Sequence, residues 1–315
     1  MIDFVYEVFE SLDSTNNYIK QKAREGAKEG LVATAYTQTA GRGRVGRSWE
    51  CAYKENLATS ALLRPYDISI SSVPTITIVC GLAVRDVLQK EFNINAQIKW
   101  PNDIVVNGKK ICGILVEMDA CQNIANFVVP GIGINIHQTS FSEEIAYKAT
   151  SIDMELMRLY QVSTVEEAYS KLDEFREKSF SEKVDKSREG ISFEKADKTQ
   201  EDLSFVKVDK SREDFLFTQA SKEEIICFLM KRVWENFSIY YDKFKETSDL
   251  TAFIDEYEAF LVNKDNRVRI EQADSSYEAI ARGIDKKGAL IIEVDGLQSK
   301  IESGEVSVRG VYGYT

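Results

Sequence analysis

A single histidine, His137, stands in a chain of 315 residues, which excludes paired-histidine metal sites and a two-histidine proton relay. No G-x-S-x-G nucleophile elbow and no G-x-x-x-x-G-K-[ST] loop occurs, so the chemistry of either motif has no support. His137 therefore reads as a structural or surface residue. Five cysteines (Cys51, Cys80, Cys112, Cys121, Cys227) form an odd set without a C-x-x-C pair. Several lie in apolar runs, where a thiol behaves as a small hydrophobe, and neither a disulfide framework nor a zinc site is indicated. No run approaches the ~20 apolar residues that cross a bilayer, which predicts a soluble protein with no membrane partner. Positive charge is short as well. Lys and Arg number 40 against 51 Asp and Glu, giving a net charge of −11 and a pI near 4.9, a balance that argues against broad nucleic-acid binding. The start, MIDFVYEVFE, carries acids early and has no basic-then-apolar leader, so a cytoplasmic location is expected.

What is present reads as mixed α and β. Strands are predicted over Phe4–Phe9, Leu31–Thr37 and Asn56–Leu63, with a helix over Asn17–Arg24 after the cap-rich Ser11 to Asn16. Val73–Phe92 carries apolar residues at helical spacing and is read as a buried-face helix. Ala96–Lys99, Ile104–Val106, Ile111–Met118 and Phe127–Ile136 then form a strand-rich block with turns at Asn107-Gly108 and Gly131 to Gly133. The order is not a regular β-α-β alternation, which predicts an α+β fold with a mixed sheet and helices on one side of it. Helices follow over Val165–Phe175, Glu223–Lys245 and Asp249–Leu261. Short strands at Arg267–Ile270, Tyr277–Ile284, Ala289–Val294 and Glu305–Arg309, separated by Asp-Lys-Lys-Gly, Asp-Gly and Ser-Gly turns, predict a small β-barrel. The division expected is 1–262 and 263–315, interrupted at about 179–217 by an insertion. There SFSEKVDKSREGI, SFEKADKTQEDL and SFVKVDKSREDF succeed one another, at a period too short for a helical solenoid and too polar to bury much.

Three segments carry candidate chemistry. GRGRVGRSWE, 41 to 50, matches G-x-G-x-x-G through Gly41, Gly43 and Gly46. A dinucleotide fingerprint needs a helix opening at its end, and RSWECAYKENL has no amphipathic period. The alternative is a glycine-hinged loop whose Arg42, Arg44 and Arg47 offer planar, permanently charged forks to a carboxylate or phosphate. KWPND, 99 to 103, places Lys99, Asn102 and Asp103 around a turn held by Pro101, and Lys110 follows eight residues after Asn102, where an ammonium acts as a point charge on an oxyanion. In GIGINI, 131 to 136, two glycines let backbone approach a flat ligand, and Asn135 offers an amide to a base edge.

With D-S-T-N at 13 to 16, these segments in this order resemble the biotin protein ligase family, enzymes that attach biotin to a lysine of a carrier protein. The resemblance resumes in ARGIDKKGALII, 281 to 292, and GEVSVRG, 304 to 310. It implies a catalytic domain of the class II aminoacyl-tRNA synthetase/biotin ligase type followed by an SH3-like domain. It further implies that Ser14, Thr15, Asn16, Gln38, Gly41 and Gly113 bind biotin. Arg42, Gly43 and Arg44 would close over biotin and the adenylate, and Lys110 would reach the carboxylate and α-phosphate. Lys99, Asn102, Arg44, Arg47 and Trp49 would serve ATP, with Asn135 recognising adenine. Arg42, Arg44, Lys110 and Asp103 are the expected catalytic residues, Asp103 orienting or accepting the proton of the carrier lysine. ATP, Mg²⁺ carried with it and biotin are the expected small molecules, and the expected partner is the biotin carboxyl carrier protein of acetyl-CoA carboxylase or a related carboxylase. Twelve residues precede Asp13, from which no DNA-binding domain and no nucleic-acid partner are expected; a homodimer is an open expectation. The alternatives are a lipoate-protein ligase of similar fold, a non-catalytic biotin- or carrier-binding protein and, least supported, a nicotinamide-dependent oxidoreductase.

Overall fold

Period-two alternation builds a large sheet whose two faces have different duties. The computed structural model describes residues 1–66, 68–122, 124–184, 215–271, 275–303 and 307–310. Most of the repeat and the start of the strand expected at Glu305 lie outside these residues. In chain order the first elements are β1 (Val5–Phe9), α1 (Thr15–Arg24), β2 (Leu31–Ala35) and β3 (Asn56–Ala61), then α2 (Ile76–Phe92). Next come β4 (Gln97–Lys99), β5 (Asp103–Val106), β6 (Lys109–Cys121) and β7 (Ile124–Asn135). These seven strands form one sheet in the order β1-β2-β3-β7-β6-β5-β4. β1 and β2 run parallel and the other pairs antiparallel.

On β6 and β7, Cys112, Ile114, Ile132 and Ile134 turn into the main core with α2. The residues between them, Gly113, Leu115, Gly131 and Gly133, face the other way and pair as Gly113 with Gly133 and Leu115 with Gly131. α2 is the most apolar helix and, with the turn before it, is long and apolar enough to cross a membrane by composition. It is mostly buried here between the sheet and α6 (Lys222–Thr247). A Ser221–Glu224 capping box starts α6, satisfying two backbone N–H groups that have no partner inside the helix.

The expected one-sided arrangement of helices is corrected by α1. Its Ile19 and Ala23 pack with Ala33, Leu62, Phe127 and Val129 in a second, smaller core on the opposite face. Alternation alone does not reveal this, because β2 reads Leu-Val-Ala-Thr-Ala and is buried on both sides. Between β7 and α6 lie α3 (Glu143–Ala146), α4 (Ile152–Tyr160) and α5 (Val165–Val184). The first two have no counterpart in the expected elements, and α5 continues past Phe175 into the first repeat. The helix expected over Asp249–Leu261 is confined to α7 (Ile254–Phe260).

The remaining strands, β8 (Arg267–Glu271), β9 (Ser276–Ile284), β10 (Leu290–Val294), β11 (Leu297–Ile301) and β12 (Ser307–Gly310), form an antiparallel sheet in the order β11-β10-β9-β8-β12. Trp100, 1% exposed, ties it to the larger unit. Its Nε1 donates to Gly288 O at 2.9 Å, and its backbone N donates to Asn263 Oδ1 at 2.8 Å.

Candidate active site

Gly113, Gly131 and Gly133 give the two central strands a floor without side chains. A Cβ on Gly133 would stand 2.4 Å from the Trp49 indole, and one on Gly131 would stand 2.1 Å from Asn16 Oδ1. No side chain beyond hydrogen fits at those two positions as the walls stand. Trp49 lies on this floor at the end of the arginine loop, and the cavity beside it measures about 140 Å³.

One wall is the amino-terminal end of α1. Ser14 occupies the N-cap position, its carbonyl accepting from Tyr18 N at 3.0 Å while its side chain makes no cap hydrogen bond. Instead the first helical N–H, that of Thr15, donates to Gln38 Oε1 at 2.8 Å. The hydroxyl of Thr15 lies 2.7 Å from Ser60 Oγ, which donates to Asn16 Oδ1 at 2.6 Å, and Asn16 Nδ2 donates to Glu117 Oε2 at 2.8 Å. Ser14, Thr15 and Asn16 are all buried, so this chain of polar groups is a fixed template.

The second wall is the glycine-arginine loop. It closes as a miniature hairpin, with Gly43 N donating to Arg47 O at 2.7 Å and Trp49 N to Gly41 O at 3.0 Å. Arg42 reaches Asn17 Oδ1 at 2.7 Å and Glu117 Oε2 at 3.1 Å. Arg44 donates to Asn102 Oδ1 at 3.0 Å and to the carbonyl of Ser303 beside the small sheet. Burial lowers the Arg44 pKa and Arg47 pushes the same way, while Asp103 opposes both.

The third wall is KWPND with β6. Asn102 Nδ2 donates to Ile114 O at 3.0 Å, which leaves its Oδ1 for Arg44. Lys110 Nζ sits 2.5 Å from Asp103 Oδ1 and 5.6 Å from the Trp49 ring centroid.

Of the residues expected from sequence, Ser14, Thr15, Asn16, Gln38, Arg42, Gly43, Arg44, Arg47, Trp49, Lys99, Asn102, Asp103, Lys110 and Gly113 line this one cavity. Gly41 stands just behind it, where a Cβ would meet Trp49 O at 2.4 Å. Asn135 is not on the lining. It is 7% exposed, and its Nδ2 donates to Thr150 O at 2.9 Å. His137 is buried against Asp153 Oδ2 at 3.1 Å, away from the cavity.

Sequence reasoning missed Asn17, Ser60, Glu117 and Ser303. Glu117 had a signal: it shares the face of Gly113 and Leu115 at period two on β6. Burial pushes its carboxyl up, but hydrogen bonds from Asn16 and Lys20, with the charges of Lys20 and Arg42, more than offset this and hold it below the usual carboxylate range.

Two family models match the chain. Residues 8–135 match the biotin/lipoate A/B protein ligase family, which sets the class, and residues 265–309 match the biotin protein ligase C-terminal domain. The chain thus carries both the ligase domain and the C-terminal domain that biotin protein ligases have. A stretch of 143 residues is 40% identical to the Bacillus subtilis bifunctional ligase/repressor BirA, covering 45% of this chain and 44% of that protein. Another of 150 residues is 34% identical to the biotin--[acetyl-CoA-carboxylase] ligase of Mycobacterium tuberculosis, covering 46% of this chain and 54% of that one. The matched stretches thus span about half the length of these relatives. In fold, the chain resembles the biotin protein ligase from Aquifex aeolicus in complex with biotin and ATP, with a TM-score of 0.63 at 23% identity over 97% of this chain and 98% of the other. It likewise resembles the Leishmania major enzyme in complex with biotinyl-5-AMP, with a TM-score of 0.53 at 19% identity over 96% of this chain and all of the other.

Proposed function

We propose that the chain activates biotin with ATP to biotinyl-5'-AMP and then transfers the biotinyl group to a lysine of a biotin carboxyl carrier protein. One observation carries the reading: Arg42, Arg44 and Lys110 converge on a glycine-floored cavity where, among the described residues, Asp103 is the one lining carboxylate. The names of the Mycobacterium and Aquifex relatives support the choice of acid and nucleotide. The repressor half of the Bacillus protein's name is not carried over, because the match covers less than half of that protein.

In the first step a carboxylate oxygen of biotin attacks the α-phosphorus and pyrophosphate leaves. The nucleophile is already ionised, so no base is required. The demand is for cations where negative charge develops, which permanently charged arginines and a lysine meet. Mg²⁺ belongs to this step as the counter-ion of ATP. In the second step the carrier lysine amine attacks the acyl carbon and AMP leaves. Asp103, already beside the Lys110 ammonium, is the carboxylate closest to hand for the amine's proton.

Small-molecule pockets commonly measure about 300–1,000 Å³, and the cavity beside Trp49 is smaller than that. We infer that Trp49, lying on the glycine floor, lifts when an adenylate enters. This suits a loop that first opens and then excludes water from a hydrolysable mixed anhydride.

The test is acid-dependent ATP–pyrophosphate exchange with biotin, lipoate and octanoate in parallel. Exchange with biotin alone is expected. Exchange with lipoate and not biotin replaces the assignment by a lipoate ligase, and exchange with none of them removes the enzyme reading.

A further inference from the structure

The geometry points to Glu117 as a positioning residue that latches the glycine-arginine loop over the site. Glu117 does not line the main cavity. It lies on the other side of the loop, in a second cavity of about 460 Å³ that it shares with Arg42, Arg44 and Arg47. Its two oxygens are divided. Oε1 takes Lys20 Nζ at 3.0 Å, while Oε2 accepts both Asn16 Nδ2 at 2.8 Å and Arg42 Nη2 at 3.1 Å. A single oxygen thus joins a wall of the ligand cavity to the glycine-arginine loop. Asn17 holds the same guanidinium nitrogen from α1 at 2.7 Å.

The carboxylate is about three-quarters buried, where a charge-assisted contact keeps more of its strength than at the open surface. Losing its charge would weaken the hold on Arg42, which keeps Asn17 as a partner, and on Asn16, which keeps Ser60 and the Leu115 carbonyl. The device therefore couples closure of the loop to the shape of the pocket wall.

The decisive variant is Glu117→Gln, which keeps the shape and one acceptor but removes the charge. Lys20→Met is its control, deleting the other ion pair of the same carboxylate without touching the loop. Limited trypsin digestion of the enzyme without substrates, read by mass spectrometry, counts cuts after Arg42, Arg44 and Arg47. Glu117→Gln should speed these cuts roughly three- to tenfold, the scale of one charge-assisted hydrogen bond, with Lys20→Met within about twofold of the parent. Unchanged cutting in Glu117→Gln overturns the latch. Equal acceleration in Lys20→Met overturns it too, since the carboxylate would then be anchoring α1. If Glu117→Gln does not fold, Glu117→Asp, which keeps the charge and shortens the reach, gives the same readout.

A second arm rests on the ligase reading. Glu117→Gln should raise the AMP released per carrier modified, because a loop that is no longer latched retains the adenylate poorly. A parallel fall in kcat without extra AMP overturns the positioning role. The digestion arm uses no substrate, so its failure is distinguishable from failure of the ligase reading.

Discussion

At Gly133 one methyl group separates two outcomes. Its Cβ would stand 2.4 to 2.7 Å from three atoms of the Trp49 ring, so Gly133→Ala must displace the indole from the floor or bend the strand. Alanine is otherwise the better residue in a strand interior, since glycine loses more chain entropy there. The expected result is a melting temperature within a few degrees of the parent with biotin affinity down at least tenfold, about 1.4 kcal/mol, read by calorimetric titration beside a thermal melt. Arg44 acts differently, since it holds no part of the core and joins Asn102 to Ser303. Arg44→Ala should fold normally yet release biotinyl-adenylate into solution and retain biotin poorly, measured as free AMP formed without carrier. A parent-like rate of AMP release would take the loop out of the mechanism. Both residues were legible in the sequence as members of their motifs. What each touches was not, because Trp49 and Gly133 meet only once the loop folds back onto β7.

Among the elements, the legible ones announce themselves by chemistry that leaves little choice. Asn107-Gly108 and Asp295-Gly296 both adopt positive φ, at 51° and 75° and at 49° and 80°, as a two-residue hairpin turn demands. In G-I-G-I-N the isoleucines go to the core and the glycines to the site, a division that period two prescribes. The face covered by α1 was hidden because β2 is apolar on both sides, and α3 and α4 are too short for a helical period to stand out. Asn135 reads from sequence as a base-edge amide, and in the structure one N–H of that amide goes to Thr150 O.

α2 carries a testable electrostatic feature in Asp86, 9% exposed. Burial pushes its carboxyl up, but Lys90 at 2.8 Å and Arg85 at 3.0 Å prevail and hold it below its ordinary value. A folded-state pKa below the unfolded value adds stability above about pH 4, the ordinary Asp range, and that stability is lost as pH falls through the folded pKa. Asp86→Asn should therefore cost about 1 kcal/mol near pH 7, with the gap to the parent closing on acidification below pH ~4. Chemical denaturation across pH checks this, and a gap independent of pH would assign the cost to packing.

The whole molecule carries a net charge of −11 and concentrates arginines at one loop, so its attraction for anionic ligands is local. The interrupting repeat bears on how far the rest stands alone. On its amino-terminal side, Asp173 accepts from the backbone N of Phe217 and of Thr218, both at 3.0 Å, and from the Thr218 hydroxyl at 2.9 Å. Arg176 lies 3.8 Å from the buried Glu91 and 4.9 Å from the Phe217 ring centroid. On its carboxy-terminal side, Phe215 is 3% exposed and stacks on Phe228 with ring centroids 4.3 Å apart. The two flanks are thus sewn together by contacts of their own, and Phe215, the last residue of the third repeat, belongs to the core. A deletion reaching Phe215 would remove a buried aromatic and cost several kcal/mol, about 3–5 for such a truncation. A deletion confined to residues 185–214, bridged by a short Gly/Ser linker, leaves every one of those contacts in place. Changing the length of a connecting segment changes closure entropy only by about 0.6 kcal/mol per doubling. The shortened chain should therefore melt within a few degrees of the parent and support biotin-dependent pyrophosphate exchange within about twofold. Loss of exchange in a variant that still melts cooperatively would make the repeat part of the first half-reaction. Loss confined to carrier modification would instead assign it to the protein partner, since only the second step requires one.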